Sequence, residues 1–427
     1  MHILYYHQHF CTPKGCCGTR SYEMSVRLIK EGHKVTIVCG SSQIGNTGLD
    51  GNFKYGQRKG IVNGINVIEL SLPYSNKDNF FKRSITFIRY ALRSIFIALT
   101  IKYDLIFATS TPLTASIPGI IARIFRKKTF IFEVRDLWPE LPEKMGVIKN
   151  PIILKMLDIL ELFSYRFANH IIGLSPGIVD GVAKRGIHNS KITMIPNGSD
   201  NDLFDSNEKF CINSYQNFVY NINKGSNLNY YQDVFFLNNK HFIAIFTGAH
   251  GIANGLNSVL DAAIELKKRK RNDILIVFIG EGKLKPELIK KSKEYDLNNC
   301  LFLDPVPKVY LVNILKNADI GLMILANIEA FYFSTSPNKF FDYLAAGIPV
   351  LNNYPGWLSQ LINEYNCGIS VLPDNSHLFA NALEYAADNK EEMEKMGLNA
   401  KKLALEKFDR NILAKKFVNT LVNYSQL

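Results

Sequence analysis

The stretch STSPNKFFDYLAAGIPVL, Ser334 to Leu351, decides the fold of the second half of the chain. Pro337 suits the first turn of a helix, since proline lacks an N–H that would be unsatisfied there, and Ser336 before it is a good N-cap. The stretch ends on Gly-Ile-Pro before an apolar run. Lys339 and Asp342 stand three positions apart in this predicted helix, where an exposed ion pair would contribute only about 0.2–0.5 kcal/mol.

The polar groups of this stretch are in an order that suits a nucleotide. The N–H groups of Asn338 and Lys339 point out of the predicted helix start, and the hydroxyls of Ser334 and Ser336 precede them. Lys339 would neutralise a phosphate, and Asp342 would accept two ribose hydroxyls. The alternative is an ordinary surface ion pair between the two charged residues.

Short apolar runs alternate with helical patterns in both halves of the chain. The first half contains HILYYH, KVTIVCG and KTFIFEV, and the second contains HFIAIFTG, ILIVFIGEG and DIGLMIL. Alternation of this kind indicates parallel sheets covered by helices on both faces. The sequence therefore predicts an α/β protein of two Rossmann-like domains that face each other across a cleft, with ligands at the carboxyl ends of the strands.

The length of 427 residues also favours two domains, because single cores stop growing at roughly 250–300 residues. We predict a first domain over residues 1–204 and a second over residues 241–405. An Asn-rich linker or insertion over 205–240 separates them, and residues 406–427 have the pattern of a final amphipathic helix.

The composition is that of a globular protein with an excess of positive charge. Hydrophobic residues make up 47 %, charged residues 21 %, and the formal net charge is +12. The charge favours nucleic acid, an anionic membrane surface or small anions as partners. No zinc-finger or RNA-binding pattern occurs, so we expect no nucleic-acid partner. The stretch FFKRSITFIRYALRS (80–94) is typical of a basic amphipathic helix that lies on a membrane, or of a core-facing helix with a solvated basic face.

Seven cysteines stand at positions 11, 16, 17, 39, 211, 300 and 367, without the spacing of metal ligands. Free thiols in a reducing cytosol fit this pattern best. The start MHILYYHQHF lacks the basic and long apolar regions of a signal peptide. We therefore expect a cytoplasmic protein that needs no metal and no cofactor.

Three loops that follow predicted strands carry candidate site residues. The first contains Gly15 and Gly18 just before a helix, where small residues let backbone N–H groups approach an anion, and Arg20 would add a bidentate phosphate contact. The alternative is a plain Gly-rich turn. The second loop contains Arg135 and Asp136, which form either a salt-bridged corner or a group that binds or deprotonates an acceptor hydroxyl.

The third loop, FTGAHGIANGLNSVL, opens the second domain. Gly248 and Gly251 offer neutral backbone that suits a diphosphate. His250 and Asn254 are its polar side chains, and the histidine suits a sugar or phosphate oxygen. The loop repeats the geometry expected for the first one.

Taken in order, these motifs resemble those of a known family. The segments EVRDLWPE, IPNGSDNDLF, IGEGKLKPEL and SPNKFFDYLAAGIPVL are similar to those of retaining, nucleotide-sugar-dependent glycosyltransferases of family 4, which have the GT-B fold. EVRDLWPE and SPNKFFDYLAAG look most like the bacterial L-fucosamine transferases that build O-antigen and capsule polysaccharides. The resemblance covers nearly the whole chain outside the Asn-rich segment.

The resemblance implies a function and a location. A UDP-sugar donor would be held by the second domain, and a lipid-diphosphate-linked sugar acceptor, such as one on undecaprenyl diphosphate, by the first. The sugar would be transferred with retention and without a metal. From their positions in the loops above, we predict Arg135, Asp136 and His250 as the catalytic residues. The final helix would return to the first domain, and the protein would lie peripherally on the inner face of the cytoplasmic membrane.

The sequence departs from the family pattern at several site positions. Two glutamates separated by seven residues in the family correspond here to Ser334 and Asp342, so one carboxylate is replaced by a hydroxyl. A basic pair in the loop that opens the second domain falls at Ala249 and Asn254, and the family's histidine of the first domain aligns with Arg135. Candidates to replace the two lost cations are Lys339 and Arg20.

Two other functions fit the same sequence. A UDP-sugar epimerase of similar shape would use no acceptor. A non-catalytic protein that binds nucleotide sugars or polysaccharide would bind without turnover, since fold alone does not fix function.

Overall fold

The computed structural model describes residues 1–42, 45–75, 78–205 and 241–425. The chain forms two compact units. The first comprises Met1–Asn197, Ile328–Pro337 and Arg410–Leu427, and the second Gly198–Asn327 and Asn338–Asp409. The predicted linker over 205–240 lies outside the described residues, apart from its first position.

The strands of the two units are short and mostly buried. They are β1 His2–Tyr6, β2 Lys34–Ser42, β3 Gln57–Val62, β4 Ile65–Tyr74, β5 Leu105–Thr109, β6 Thr129–Val134, β7 His170–Gly173, β8 Ile192–Met194, β9 Phe242–Thr247, β10 Ile274–Ile279, β11 Cys300–Leu303, β12 Ile320–Met323, β13 Val350–Asn352 and β14 Gly368–Ser370.

Helices connect most of these strands. Those described are α1 Arg20–Lys30, α2 Phe80–Thr100, α3 Ile117–Arg126, α4 Glu140–Lys144, α5 Pro151–Phe167, α6 Pro176–Lys184, α7 Asn201–Asp205, α8 Asn257–Lys268, α9 Lys285–Glu294, α10 Lys308–Leu315, α11 Ala330–Ser334, α12 Asn338–Ala346, α13 Trp357–Glu364, α14 Ser376–Asp388, α15 Lys390–Lys407 and α16 Arg410–Ser425.

The sheet of the first unit has the strand order β3-β4-β2-β1-β5-β6-β7-β8, and every pairing except β3 with β4 is parallel. The order along the chain reverses between β1 and β5. Loops that leave such a reversal diverge to opposite faces of the sheet, which opens a crevice at the carboxyl ends of the two strands. The loops after β1 and β5 are therefore the natural ligand position of this unit.

The side-chain alternation of β1 divides the core of the first unit between the two faces of its sheet. Leu4 and Tyr6 belong to a core with side chains of α2, α3 and α5. Ile3 and Tyr5 belong to the opposite core with α1 and α16. The chain's last described helix thus packs in the first unit, as the resemblance implies for the final helix.

The second unit has a six-stranded sheet in the order β11-β10-β9-β12-β13-β14, with all pairings parallel. Its core is built on β9, β10 and β12 with α8 and α14. The order reverses between β9 and β12, so the loop after β9 and the segments after β12 flank the crevice of this sheet. The prediction of two Rossmann-like domains with parallel sheets is confirmed.

Some elements differ from the sequence prediction. The hairpin strand β3 and the edge strands β8 and β14 are three to six residues long and were not predicted from their weak apolar patterns. The predicted tail helix from 406 begins at Arg410, because Glu406 and Lys407 complete α15.

Candidate active site

The loop after β9 in the second unit is tightly packed at its glycines. Gly248 has φ +136° and Gly255 has φ +54°, a region that side chains other than glycine rarely occupy. A Cβ on Gly280, at the end of β10, would lie 1.8 Å from the Gly248 carbonyl oxygen, so the two loops touch through backbone. A Cβ on Gly251 would meet open space instead. The backbone at Gly251 is therefore the open part of the loop.

Lys339 lies directly against this loop. Its Nζ donates to Asn254 Oδ1 at 2.8 Å and stands 3.8 Å from the centre of the Phe246 ring. A Cβ on Gly248 would be 3.4 Å from the same Nζ. Burial lowers the pKa of Lys339 to about 7, because no carboxylate accompanies the ammonium group among its described contacts. The structure thus brings together three predicted donor-site residues, Gly248, Asn254 and Lys339, and no carboxylate in the described part of the chain pairs with the Lys339 ammonium.

The His250 side chain is enclosed by aromatic rings in the same unit. Its ring lies among Phe246, Phe278 and Phe302, with ring centres 6.0–6.3 Å apart, and the side chain is fully buried. Neither ring nitrogen has a hydrogen-bond partner among the described residues. Desolvation lowers the pKa of His250 to about 4, so the ring is neutral near pH 7. The predicted catalytic role of His250 stays a prediction.

Asp342 is also buried, and it has a basic partner that the sequence pattern did not reveal. The Lys308 ammonium, at the start of α10, lies 3.0 Å from Asp342 Oδ1 and pairs in addition with Asp200. Asp342 and Lys339 therefore have different partners and do not form the surface ion pair considered above. The predicted ribose contact of Asp342 stays a prediction, and the structure adds a role in balancing buried charge.

The residues just before α12 belong to the first unit. Ser336 Oγ accepts a hydrogen bond from the Asn197 N–H at 3.0 Å, and the Ser336 carbonyl accepts from the Asn197 side-chain amide. A Cβ on Gly177 would lie 2.7 Å from Ser334 Oγ. The predicted donor residues Ser334 and Ser336 are thus packed within the first unit. Asn338 begins α12, which belongs to the second unit.

In the first unit, a chain of hydrogen bonds links the ends of β1 and β6. Arg135 Nη1 lies 3.3 Å from His7 Nε2, and His7 Nδ1 lies 2.7 Å from Ser21 Oγ, which accepts from the Tyr5 hydroxyl. An arginine can only donate, so Nε2 must accept and the ring proton must sit on Nδ1. Desolvation, with the Arg135 charge next, holds the pKa of His7 well below its usual value. The result is a neutral imidazole that orients the Arg135 guanidinium.

Asp136 lies beside this chain at the end of β6. Its Oδ2 accepts from the Thr111 hydroxyl at 2.9 Å, and burial raises its pKa above the usual value. Thr111 has φ +79°, which is strained for a β-branched residue, and strain of this kind clusters at functional sites. The loops after β5 and β6 thus meet around a carboxyl group suited to accept a proton from a hydroxyl.

Arg20 has structural partners rather than an open position. The fully buried guanidinium donates to Glu133 Oε2 through two nitrogens and to the carbonyls of Ile195 and Pro196. All of these contacts lie inside the first unit and use four of the five guanidinium N–H groups, so the predicted phosphate contact of Arg20 stays a prediction. The physical reason for the pairing is that Glu133, a buried carboxylate on β6, requires a cation.

Gly15 and Gly18 lie in the loop between β1 and α1, as predicted. A Cβ on Gly15 would be 2.3 Å from Cys11 Sγ and 2.7 Å from the Asn46 nitrogen, which explains this glycine by packing inside the unit. Gly18 stands two residues before the start of α1. The anion site predicted for this loop stays a prediction.

Two side chains that the sequence interpretation did not assign to the site lie at the end of β1. His7 orients Arg135, and Gln8 is buried with neither side-chain polar atom paired among the described residues. An unpaired buried amide is costly, which makes Gln8 a candidate to bind a ligand hydroxyl. The sequence feature that could have identified them is their position directly after the first strand, where the strand order of the sheet reverses.

Two family models match successive, separate parts of the chain. Residues 18–203 match the model described as Glycosyltransferase Family 4, and residues 231–403 match Glycosyl transferases group 1. A comparison with curated protein sequences finds no match. The matched regions fall on the two Rossmann-like units, and each match is to a family of glycosyltransferases.

Solved structures share this fold at low sequence identity. Anabaena Alr3699/HepE in complex with UDP-glucose is 15 % identical with a TM-score of 0.65, over 99 % of this chain and all of that one. Sucrose-phosphate synthase from Thermosynechococcus elongatus is 14 % identical with a TM-score of 0.70, over 99 % and 98 %. WaaG, a glycosyltransferase involved in lipopolysaccharide biosynthesis, is 13 % identical with a TM-score of 0.64, over 98 % and 99 %.

Across the described ranges, none of the helices has the length and apolar character that a membrane span requires. The same residues contain no group of three or more histidine, cysteine or acidic side chains placed to hold a metal ion.

Proposed function

We propose that the protein transfers a sugar from a UDP-sugar to a lipid-diphosphate-linked sugar, with retention, in the synthesis of a bacterial O-antigen or capsule. The observation that carries the proposal is the unneutralised Lys339 ammonium beside the glycine loop of the second unit. A diphosphate would supply the negative charge that accompanies this ammonium group. HepE has been crystallised with UDP and with UDP-glucose, which supports uridine as the nucleoside.

In this proposal the second unit holds the donor and stabilises the leaving UDP. Lys339 binds a diphosphate oxygen, and the open backbone at Gly251 contributes N–H groups to the same anion. Such preorganised electrostatic stabilisation of a leaving group is usually the largest single catalytic contribution. Asp342 is the proposed ribose ligand, and the Lys308 ammonium lies 3.0 Å from its Oδ1.

The first unit binds the acceptor in this proposal. Asp136 accepts a hydrogen bond from the attacking hydroxyl, since its raised pKa makes it a better proton acceptor than an ordinary exposed aspartate. Arg135, oriented by His7, binds a phosphate or sugar oxygen of the acceptor. The donor sugar that we propose is an N-acetylated deoxyhexosamine such as N-acetyl-L-fucosamine, on the resemblance of EVRDLWPE and SPNKFFDYLAAG to the fucosamine transferases.

A lipid-linked acceptor places the reaction at the cytoplasmic face of the membrane. The basic amphipathic helix α2 supports this location: Phe81, Leu92 and Phe96 are exposed among Lys82 and neighbouring arginines. We propose that the protein associates peripherally with this surface through α2.

The proposed function is tested by offering a panel of UDP-sugars together with undecaprenyl-diphosphate-linked sugars in membranes and reading the products by mass spectrometry. The proposal expects one lipid product whose mass has increased by one sugar residue. Isomerisation of the UDP-sugar without acceptor would support an epimerase instead. Binding of UDP-sugar without any product would support a non-catalytic binding protein.

A further inference from the structure

A cavity of about 620 Å³ lies in the first unit at the amino ends of the strands, away from the candidate acceptor residues at their carboxyl ends. Arg123 and Arg166, in the last turns of α3 and α5, line it together with Lys191, which precedes β8. Tyr424 of α16 forms a further wall. None of the residues that line this cavity has a role in the proposed sugar transfer.

The wall formed by Tyr424 is held in place by two contacts. Its hydroxyl donates to the Ser190 carbonyl at 3.1 Å, and its ring stacks on His170 with 4.0 Å between ring centres. The last helix of the chain therefore completes the cavity with a fixed side chain. The cavity is built by packing from four separate parts of the unit.

The charges around the cavity have one sign. Arg123, Arg166 and Lys191 line it, and no described aspartate or glutamate does. Within the described ranges, none of these three cations forms a hydrogen bond or an ion pair, whereas Arg58 and Arg185 of the same unit pair with carboxylates. Three cations around one cavity repel each other, and an anion would relieve that repulsion.

The outer surface of the helices next to the cavity is apolar. Phe125 on α3 is 72 % exposed, Met156 on α5 is 66 % exposed and Phe96 on α2 is 70 % exposed. Leu92 on α2 and Phe163 on α5 are exposed as well. We call these five residues the apolar helix surface. Helix α3 contacts both α2 and α5, and all three lie on one face of the sheet, so these side chains share one side of the unit.

We propose that the cavity binds the phosphate head group of an anionic phospholipid while the apolar helix surface rests on the bilayer. A phosphate diester fits the cationic lining, and the acyl region fits the exposed aromatic and aliphatic side chains. A soluble phosphate has no acyl chains and would therefore not contact the apolar helix surface. The inference deepens the proposed membrane association by naming the lipid group, and it rests on the proposed function only for the presence of a membrane.

The test measures binding of the full-length protein to vesicles of phosphatidylcholine with and without phosphatidylglycerol, by cosedimentation. The expected result is strong binding only with phosphatidylglycerol, and a loss of about tenfold in the double variant R123Q/R166Q. The control K30Q/K34Q removes the same charge from exposed positions on the α1 side of the unit and should bind as the wild type does. Melting temperatures of both variants verify that they fold.

Three outcomes would overturn the inference. R123Q/R166Q could bind like the wild type, or the control could lose as much affinity, which would indicate charge attraction without a specific site. Inorganic phosphate or glycerol phosphate could abolish vesicle binding at millimolar concentration, which would assign the cavity to a soluble anion. Because no sugar donor is present and only vesicle binding is measured, failure here is distinct from failure of the transfer reaction, which is measured as a lipid product that gains one sugar.

Discussion

The Lys339 ammonium donates to Asn254 Oδ1 at 2.8 Å, and Asn254 stands where the family pattern has a basic residue. An amide in this place orients Lys339 but does not repel it. Lys339 can therefore occupy the position over the glycine loop as the cation of the site. In the proposed function, Lys339 is then the cation that binds the diphosphate in this loop.

Replacing Lys339 tests this role directly. Lys339→Gln is expected to weaken UDP binding about 10- to 100-fold, because a hydrogen bond from a charged donor contributes about 1.5–3 kcal/mol. Isothermal titration calorimetry measures the change. Lys283→Gln, which removes an exposed cation of the same unit, should leave UDP affinity unchanged. Equal UDP affinity in wild type and Lys339→Gln would remove Lys339 from the site.

The lowered pKa of Lys339 predicts a pH dependence of UDP binding. In the free protein the group loses its proton near pH 7, and a bound diphosphate would raise its pKa, so binding takes up a proton above pH 7. UDP affinity should fall between pH 7 and pH 9, by at most about tenfold per unit. Lys339→Arg keeps its charge throughout and should show a flat profile. A flat profile in the wild type as well would contradict the prediction.

The buried charges around Lys308 predict a stability effect. Lys308→Met leaves Asp200 and Asp342 without this cation and should lower the free energy of unfolding by about 3–5 kcal/mol. Urea unfolding measures it. Lys316→Met, at the exposed end of the same helix, should change stability by less than about 0.5 kcal/mol. Equal stability of the Lys308 variant and wild type would show that the ion pairs do not stabilise the fold.

The same charges affect how a variant of Asp342 is interpreted. Asp342→Ala should weaken UDP binding if the carboxylate binds ribose, but it also removes the partner of Lys308. UDP affinity should therefore be measured below the melting transition of the variant. Unchanged UDP affinity in the folded variant would reject the ribose contact.

Asp136 predicts a loss of activity without a loss of donor binding. Asp136→Asn should lower kcat about 10²- to 10⁴-fold, the usual contribution of a positioned base, and leave UDP affinity unchanged. The raised pKa of Asp136 places the acid limb of the pH–rate profile at higher pH than an ordinary aspartate would. Thr111→Val removes a hydrogen bond that lowers this pKa, so it should move the acid limb to still higher pH. Glu140→Gln is the matched control. Full activity of Asp136→Asn would exclude the base.

The fold could be predicted from sequence because its signals are local. The apolar runs at β1, β2 and β9 are long and flanked by helical patterns, and alternation alone then indicates parallel sheets. The edge strands β8 and β14 are three residues long, and they form because a neighbouring strand offers its backbone, which no local pattern records.

The candidate site could be predicted only in part, because its decisive contacts are long-range. Lys339 meets Asn254 across 85 positions of sequence, and Arg20 meets Glu133 across 113. His250 appears as a polar loop residue in the sequence, but three phenylalanines from other positions enclose its ring. The sequence could identify residue types near the strand ends, and only the packing determines which of them keep a polar group available.

The most direct test of the central claim is the rate of UDP release from a UDP-sugar, measured with and without membranes that contain the lipid-linked acceptor. The account predicts UDP release that depends on the acceptor and equals, mole for mole, the lipid product that gains a sugar. UDP release, hydrolysis or isomerisation at the same rate without acceptor would contradict it, as would binding of every UDP-sugar with no release of UDP.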